Sequence, residues 1–538
     1  MAWLKNEEEW RPPVTPGRLE NVKWMGFAAL IVFALFLWQG NRGFSLADEG
    51  FLWYGAQRVG AGDVPLRDFM SYEPGRYYWS AAFMRMTGDD GIMTLRVAIA
   101  FFQALGLGVA LWLIARCTTQ RKWPYLLLSA LVLVSWMLPR HKIFDISISI
   151  FLVGALALLV ERPKPARYFF TGAIVGLAAV FGRNHGMYGL AGSLCTILWL
   201  NIHRNEEPPL AKAVALWAAG ILCGFSPMVL MMLFVPGFAD ALWRSVLFLF
   251  EFGSTNLTLP VPWPWRAPVA TLPPGEALRA LLIGAFFCAM LAWGALSLVW
   301  LFRQRLRRTT APPVLAAASF LVLPYAHFAF SRAEINHLAQ GIFPLLIGCL
   351  GLTGSRPDRW RYWPSVGLLA VSLWVAGVAQ PGWQCRSGAS CENVEIAGSN
   401  LLVDHGTAVE VGLTRSLVHA YVPDGETFIA APYRPGAYAL LRRRSPVWEI
   451  YALFPRSDTF QRKEIERIEA ARPRLAMMSD QPTDGREALR YSRTHPLILR
   501  YLQEHFVKVS GVEGYPFDAY RARDAVAKDA DVRAGAGP

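Results

Sequence analysis

The chain reads as a polytopic α-helical membrane protein that carries a C-terminal α/β domain outside the membrane. Two observations predict this class. Hydrophobic residues make up 54% of the 538 and charged residues only 17%, with a mean hydropathy of +0.29. A soluble protein of this size carries about 25% charged residues. The apolar residues are also gathered into runs of roughly 16–25, the length at which a helix crosses about 30 Å of hydrocarbon. These runs stop near residue 380, after which the chain turns polar.

About eleven spans follow in order: 23–39, 93–115, 123–139, 143–160, 168–182, 187–202, 210–235, 277–302, 312–330, 338–354 and 362–380. Residues 1–22 are polar, with Pro12, Pro13 and Pro16, and no small-residue cleavage site follows the first run. The first run is therefore expected to stay in place as a transmembrane helix. The pairs around Arg140 and Arg183 read as short helical hairpins. Lys and Arg cluster in the N-terminal segment and at 116–122, 162–167, 204–212, 303–308 and 356–361, which are alternate loops. By the positive-inside rule the N-terminus is cytoplasmic. An odd number of spans then puts the C-terminal domain outside, which in a bacterium means the periplasmic face of the inner membrane. The net charge of +13 is spent on these loops, so nucleic acid is not expected as a partner.

The expected division is a cytoplasmic segment 1–22, a transmembrane domain 23–383 that includes the first outer loop 40–92, a periplasmic α/β domain 384–523, and a disordered tail 524–538. In the α/β domain, β-like runs at Thr427–Ala431, Val447–Leu453, Leu475–Ser479 and Phe506–Ser510 alternate with helical patterns at Asp458–Ala471 and Pro496–Glu504. Strands alternating with helices imply a layered α/β arrangement. Of seven cysteines, Cys117, Cys195, Cys223, Cys288 and Cys349 lie in or beside apolar runs and read as packing residues. Cys385 and Cys391 lie together in a polar Gly/Ser segment after the last span. In an oxidising compartment that pair is expected to form a disulfide.

Sorting charges by side points to the chemistry. The outward loops hold Asp48, Glu49, Asp63, Asp68, Glu73, Arg76, Arg140, His141, Lys142, Asp145, Arg183, His185, Arg332, Glu334 and His337, nearly all within a turn or two of a helix end. Acids at a membrane surface are costly to desolvate and are functional candidates by default. Arginine binds phosphate through a planar fork of donors, and a carboxylate removes a proton from an attacking hydroxyl. Acids and bases at one depth therefore suit a reaction between a lipid-borne phosphate and a polar acceptor. Plainer readings stand beside this one. Arg140, Lys142 or Arg332 alone can be snorkelling anchors. Asp48 can cap the helix after it, Glu49 can be a solvated or supporting group, and Asp63 in GAGD can be turn chemistry.

The run DEGFLWYGAQRVGAGDVPLRDFMSYEPGRYYWSAAFMRMTG resembles the first extracytoplasmic loop of the GT-C glycosyltransferases. Within that class it is similar to bacterial membrane enzymes allied to protein O-mannosyltransferases and to the aminoarabinose transferase of lipid A. The pattern is an acidic dipeptide after the first span, an amphipathic helix, then a Pro/Tyr segment leading to the second span. Here these are Asp48-Glu49, Gly50–Val59 and Tyr72-Glu73-Pro74-Gly75-Arg76-Tyr77-Tyr78. The chain has Glu73-Pro74-Gly75 where relatives carry Lys-Pro-Pro.

The resemblance implies a GT-C-like membrane glycosyltransferase that uses a polyprenyl-phosphate sugar and transfers it, with inversion, to a lipid, glycan or protein acceptor. Asp48 would be the base, with Glu49 beside it. Substrate contacts are assigned to Asp68, Glu73, Arg76, Arg140, Arg183, His185, Arg332 and His337. The sequence has no Cys/His zinc spacing, and a divalent ion bridging Asp68 or Glu73 to the phosphate is the lesser alternative. The rival readings are a transporter or flippase and a non-catalytic envelope-assembly protein.

Overall fold

The computed structural model describes residues 18–118, 122–202, 208–254, 256–385, 391–512 and 515–527. The expected segment 1–22 therefore lies mostly outside the described residues. In chain order the helices are α1 (Arg18–Gln39), α2 (Asp48–Gly60), α3 (Gly75–Thr87), α4 (Ile92–Cys117), α5 (Lys122–Trp136), α6 (Ile143–Glu161), α7 (Pro165–Phe181) and α8 (Arg183–Asn201). They continue as α9 (Leu210–Phe234), α10 (Phe238–Phe252), α11 (Pro274–Leu306), α12 (Pro313–Ser331), α13 (Ile335–Gly341), α14 (Phe343–Gly354), α15 (Asp358–Ala376) and α16 (Pro381–Gln384). The chain forms two compact units, one of Met1–Gly40 with Val97–Trp383 and one of Asn41–Arg96 with Gln384–Pro538.

The first unit holds the spans. Each of the eleven apolar stretches is helical, but among the described residues seven helices are long and apolar enough to cross a membrane, or eight if α13 and α14, bent by 55°, count as one. The helices α5 and α7 are apolar but only 15 and 17 residues long. Helix α8 is long enough at 19 residues but opens on Arg183, Asn184 and His185. The spans in α1, α9, α11 and α15 leave most of their apolar surface open, as expected of faces solvated by lipid, whereas the span containing α6 is 83% buried and forms the centre. Around it Leu159, Tyr168, Trp199, Trp217 and Phe320 make one cluster.

Close packing of α7 on α9 rests on glycines spaced four apart on both helices. A Cβ on Gly172 would lie 2.0 Å from the Trp217 carbonyl oxygen, and one on Gly224 would lie 1.9 Å from that of Ala173. In lipid, where tails are as apolar as leucine, such close backbone approach is what holds helices together. Between α9 and α11 the chain forms an unexpected helix, α10, bounded by Gly237 (φ 77°) and Gly253 (φ 70°) in the left-handed conformation.

The second unit joins the loop after the first span, Asn41–Arg96, to the C-terminal domain. This differs from the expected division, in which residues 40–92 went with the spans. Backbone bonds account for the difference: Gly43 N–H to Leu402 O and Leu402 N–H to Asn41 O (both 2.9 Å), Gly436 N–H to Leu46 O (2.8 Å), and Met70 N–H to Trp448 O (2.9 Å). Helix α2 packs on α18 (Pro435–Leu441) where Gly50 meets Gly436, so tightly that a Cβ on Gly50 would lie 2.4 Å from the Gly436 Cα.

Strands β1 (Cys391–Ile396) and β2 (Ser399–Asp404) form a hairpin turned by Ala397 (φ 48°) and Gly398 (φ 82°), both left-handed as a two-residue hairpin turn demands. It is followed by α17 (His405–Tyr421). The main sheet has the order β3-β4-β6-β5, from β3 (Ile429–Ala431), β4 (Leu475–Met478), β5 (Phe506–Lys508) and β6 (Asp518–Ala522). The first pair is parallel and the other two are antiparallel. Helices α19 (Asp458–Ala471) and α21 (Pro496–His505) follow the expected pattern, with the single turn α20 (Tyr491–Thr494) between β4 and α21.

The stretch Val447–Leu453, expected as a strand, is irregular, and two of its amides are taken by a side chain: Glu464 Oε2 accepts Trp448 N–H (2.8 Å) and Glu449 N–H (3.2 Å). Ala525 is 4% exposed and belongs to the domain core, so the folded domain runs past the tail boundary expected at 524. Residues 528–538 lie outside the described residues.

Candidate functional site

In the second unit the candidates gather around the start of α2. The N-cap is Ala47, and Asp48 is the first helical residue, so capping does not account for its carboxylate. It is exposed, at the end of the helix where a negative charge is favoured. Its Oδ1 accepts a hydrogen bond from Tyr451 Oη at 2.6 Å, across 403 residues of sequence. Aromatic rings border it: Phe51 lies 5.3 Å from Tyr451 and 4.9 Å from Tyr72, and Tyr433 lies 5.9 Å from Tyr451. The Arg76 guanidinium sits 4.6 Å above the Tyr72 ring. Burial and the neighbouring Asp48 carboxylate push the Tyr451 hydroxyl well above its ordinary range, so it remains a donor.

Glu49, expected beside Asp48 in the chemistry, is placed otherwise. It is 5% exposed and forms a two-point ion pair with Arg96, Nε to Oε1 at 2.8 Å and Nη2 to Oε2 at 2.7 Å, while Arg96 also donates to the Gly43 carbonyl (2.6 Å). The two acids alternate because successive helical residues point about 100° apart.

Asp68 is engaged by its own neighbours. Its oxygens accept from Arg67 Nε (2.9 Å), Arg67 Nη2 (2.8 Å) and Val64 N–H (2.8 Å). Burial raises this carboxyl, but the Arg67 pair and the Val64 amide outweigh it and hold Asp68 below the usual range. Glu73 is 8% exposed and Arg76 2%. Asp63 pairs with Arg58 at 2.7 Å, consistent with its reading as turn chemistry. Cys385 and Cys391 are bonded, with Cα atoms 5.6 Å apart. Among the described residues no group of three or more His, Cys, Asp and Glu is arranged to hold a metal ion.

In the first unit the expected residues form two groups. His185 is 1% exposed and uses both ring nitrogens, Nε2 with Asp145 Oδ1 (2.8 Å) and Nδ1 with Tyr325 Oη (2.9 Å). Its ring packs against Phe328 at 5.6 Å, and the His337 ring stacks on the same Phe328 at 5.7 Å. His337 Nδ1 meets Glu334 Oε1 at 2.7 Å. Thus α6, α8, α12 and α13 bring the two histidines to one aromatic side chain.

The arginines go elsewhere. Arg183 donates to Ser245 O (3.1 Å) and Ser245 Oγ (3.0 Å) on α10, and Arg332 donates to Leu257 O (3.0 Å) just beyond it. Arg140 donates to Gln39 O at the end of α1 (2.9 Å). Sequence reading did not single out Tyr325, Tyr451 or Tyr433. Asp145 was visible as an outward acid, but not as the partner of His185.

No family model and no curated protein matches the sequence. Among solved structures the chain is similar to ArnT from Cupriavidus metallidurans bound to undecaprenyl phosphate, with a TM-score of 0.54 and 14% identity over 94% of this chain and 98% of that one. The apo state of the same protein matches with a TM-score of 0.54 and 13% identity, over 93% of this chain and 98% of that one. The oligosaccharyltransferase AglB from Archaeoglobus fulgidus, in complex with an inhibitory peptide and a dolichol-phosphate, gives a TM-score of 0.47 and 11% identity over 93% and 74%. The fold expected from the first loop is the fold found: the chain shares the GT-C fold of ArnT along almost its whole length.

Proposed function

We propose that the chain is an integral-membrane glycosyltransferase that takes a sugar from a polyprenyl-phosphate donor and passes it to an acceptor hydroxyl on the outer face of the membrane. The observation that carries this reading is the exposed Asp48 carboxylate at the head of α2, hydrogen-bonded by Tyr451, on a fold shared along almost its whole length with a protein solved with undecaprenyl phosphate bound. In the reaction Asp48 accepts the acceptor's hydroxyl proton as that oxygen bonds to the anomeric carbon. The bond from that carbon to the phosphate oxygen breaks, and its electron pair leaves with the polyprenyl phosphate. Negative charge grows on the leaving group, so fixed cations stabilise the transition state more than the substrate. Arg76 is assigned to this task, with Arg183 and Arg332 as lipid-phosphate ligands. Glu49 and Asp68 are assigned to structure. His185, with both nitrogens engaged, is assigned to holding α6, α8 and α12 in register. The disulfide supports an oxidising location for the C-terminal domain.

The test is a transfer assay with purified protein in lipid vesicles and a panel of radiolabelled polyprenyl-phosphate sugars. Formation of a labelled, lipid-free or new lipid-linked product with at least one donor, lost in Asp48→Asn, supports the reading. Transbilayer movement of the lipid with no product would favour a flippase, and neither activity would favour an assembly protein.

A further inference from the structure

We propose that Tyr451, carried by the C-terminal domain, is a positioning residue for the Asp48 carboxylate, its hydroxyl holding Oδ1 so that the carboxylate faces the acceptor's proton. The inference rests on Asp48 being the base.

The construction around Tyr451 is more elaborate than a surface hydrogen bond requires. The irregular segment that carries it is fastened from both directions within the second unit. From the C-terminal domain, Glu464 takes the amides of Trp448 and Glu449, and the Glu449 carboxylate is itself gripped by Arg456 Nε (2.6 Å) and His495 Nε2 (2.8 Å). From the first loop, Met70 N–H donates to Trp448 O (2.9 Å), and Trp448 Nε1–H donates to the Leu66 carbonyl (3.0 Å). Glu449, Glu464 and His495 are 6%, 1% and 0% exposed, so the anchors are buried polar groups that are hydrogen-bonded. Such networks rigidify what they hold. Three residues beyond the Trp448 anchor, the Tyr451 ring is wedged against Phe51 and Tyr433, which limits its rotamer.

The chemistry fits the placement. A base that must meet a proton at about 2.6–3.2 Å loses rate when it is misaligned. A phenol donating to one oxygen fixes the plane of the carboxylate and favours its ionised form. The titratable groups that face Tyr451 are Asp48, Tyr72 and Tyr433, with Arg76 over Tyr72 and Glu49 committed to Arg96. Two tyrosines and a paired acid leave Asp48 as the group whose titration would set the acid limb of activity.

The experiment uses the full-length protein in vesicles. Tyr451→Phe keeps the ring and removes the donor. Turnover should fall about tenfold, and the acid limb of the pH–rate profile should move up by about one unit, the effect of losing one hydrogen bond to a charged group. The KM for the donor and the melting midpoint should stay near wild type. A fluorinated tyrosine at position 451, a stronger donor of nearly the same shape, should move the limb the other way. Tyr433→Phe, which leaves the Asp48 bond in place, should move it in neither direction. A limb that stays fixed in both Tyr451 variants overturns the inference even where Asp48→Asn is inactive, and reduces the bond to a tie between segments. Asp48→Asn with activity within threefold of wild type overturns the underlying assignment of the base instead.

Discussion

Replacing Glu49 by alanine should damage folding and replacing Asp48 by asparagine should damage turnover, although the two acids are adjacent. The Arg96 side chain is 0% exposed and that of Glu49 6%, and they share two short contacts. Deleting the carboxylate strands a buried guanidinium, which costs about 3–5 kcal/mol. The Gly43 carbonyl keeps part of Arg96 satisfied, which favours the lower end. At about 2–4 °C per kcal/mol for a unit of this size, a loss near 3 kcal/mol lowers the melting midpoint by about 6–12 °C. Asp48 is exposed, and a surface substitution there should stay within about 0.5 kcal/mol. Its loss as a base should instead lower turnover about 100-fold or more. Tryptophan-fluorescence melts and transfer assays on both variants, in one detergent and at one scan rate, separate the cases. A further variant isolates the cause: Glu49→Leu with Arg96→Met removes both charges and should melt well above Glu49→Ala, since a buried ion pair can be replaced by apolar side chains at little cost. Glu49→Ala melting within about 2 °C of wild type, less than one kcal/mol on the same conversion, would refute the argument. So would a double variant that melts as low as the single one.

Arg183→Ala or Arg332→Ala should weaken polyprenyl-phosphate binding by about 2–4 kcal/mol if the contact is desolvated; equilibrium binding with unchanged affinity in both returns them to anchoring α10 and its following loop. Burial raises the Glu464 carboxyl despite Arg467, so the folded state holds that proton more tightly than the unfolded chain. Its contribution to stability is therefore full below the ordinary carboxyl range and is lost as pH rises through the raised value, and Glu464→Gln should flatten the melting profile over that window. Gly224→Leu should break the seam with α7, with overpacking costing at least about 1–3 kcal/mol, visible as a lower melting midpoint and new protease cuts in α7 or α9. Mass spectrometry of non-reduced peptides should find Cys385 joined to Cys391 in protein from an oxidising periplasm, and both thiols free would count against the outward orientation of the C-terminal domain.

The spans were legible because apolar length is a one-dimensional signal. Each of the eleven runs became helix, yet α8 shows the limit: Arg183, Asn184 and His185 open a helix whose burial depends on neighbours 40 and 140 residues away. Helix α10 was legible in principle, since Gly237 and Gly253 punctuate it at both ends in conformations that favour glycine. Its apolar run is interrupted by Asp240, Arg244 and Glu251, and a search for uninterrupted spans passes over such a segment. The stretch Val447–Leu453 has the alternation of a strand, but the buried Glu464 carboxylate competes successfully for two of its amides. No local pattern announces that competition.

The site was half legible for a more specific reason. An acid pair beside a membrane is informative, but dividing its roles requires knowing which acid has a buried cation. The sequence contains that cation: Arg96 interrupts the apolar run 93–115, where an unpaired arginine is not tolerated. The same reasoning applies to His185 and Asp145, which sit at the heads of helices in adjacent hairpins, and to Arg116 and Glu161, which pair at the ends of α4 and α6. In a membrane chain a charge within or at the end of an apolar run implies a partner at the same depth. Assigning partners first and asking which charges remain exposed would have set Glu49 aside and kept Asp48. Tyr451 falls outside even that rule. It is neutral, lies 403 residues away in the sequence, and reaches Asp48 from a segment held by Glu464 and Glu449. The Asp48 segment is legible in the sequence, but the hydroxyl that meets its carboxylate is placed by tertiary structure alone.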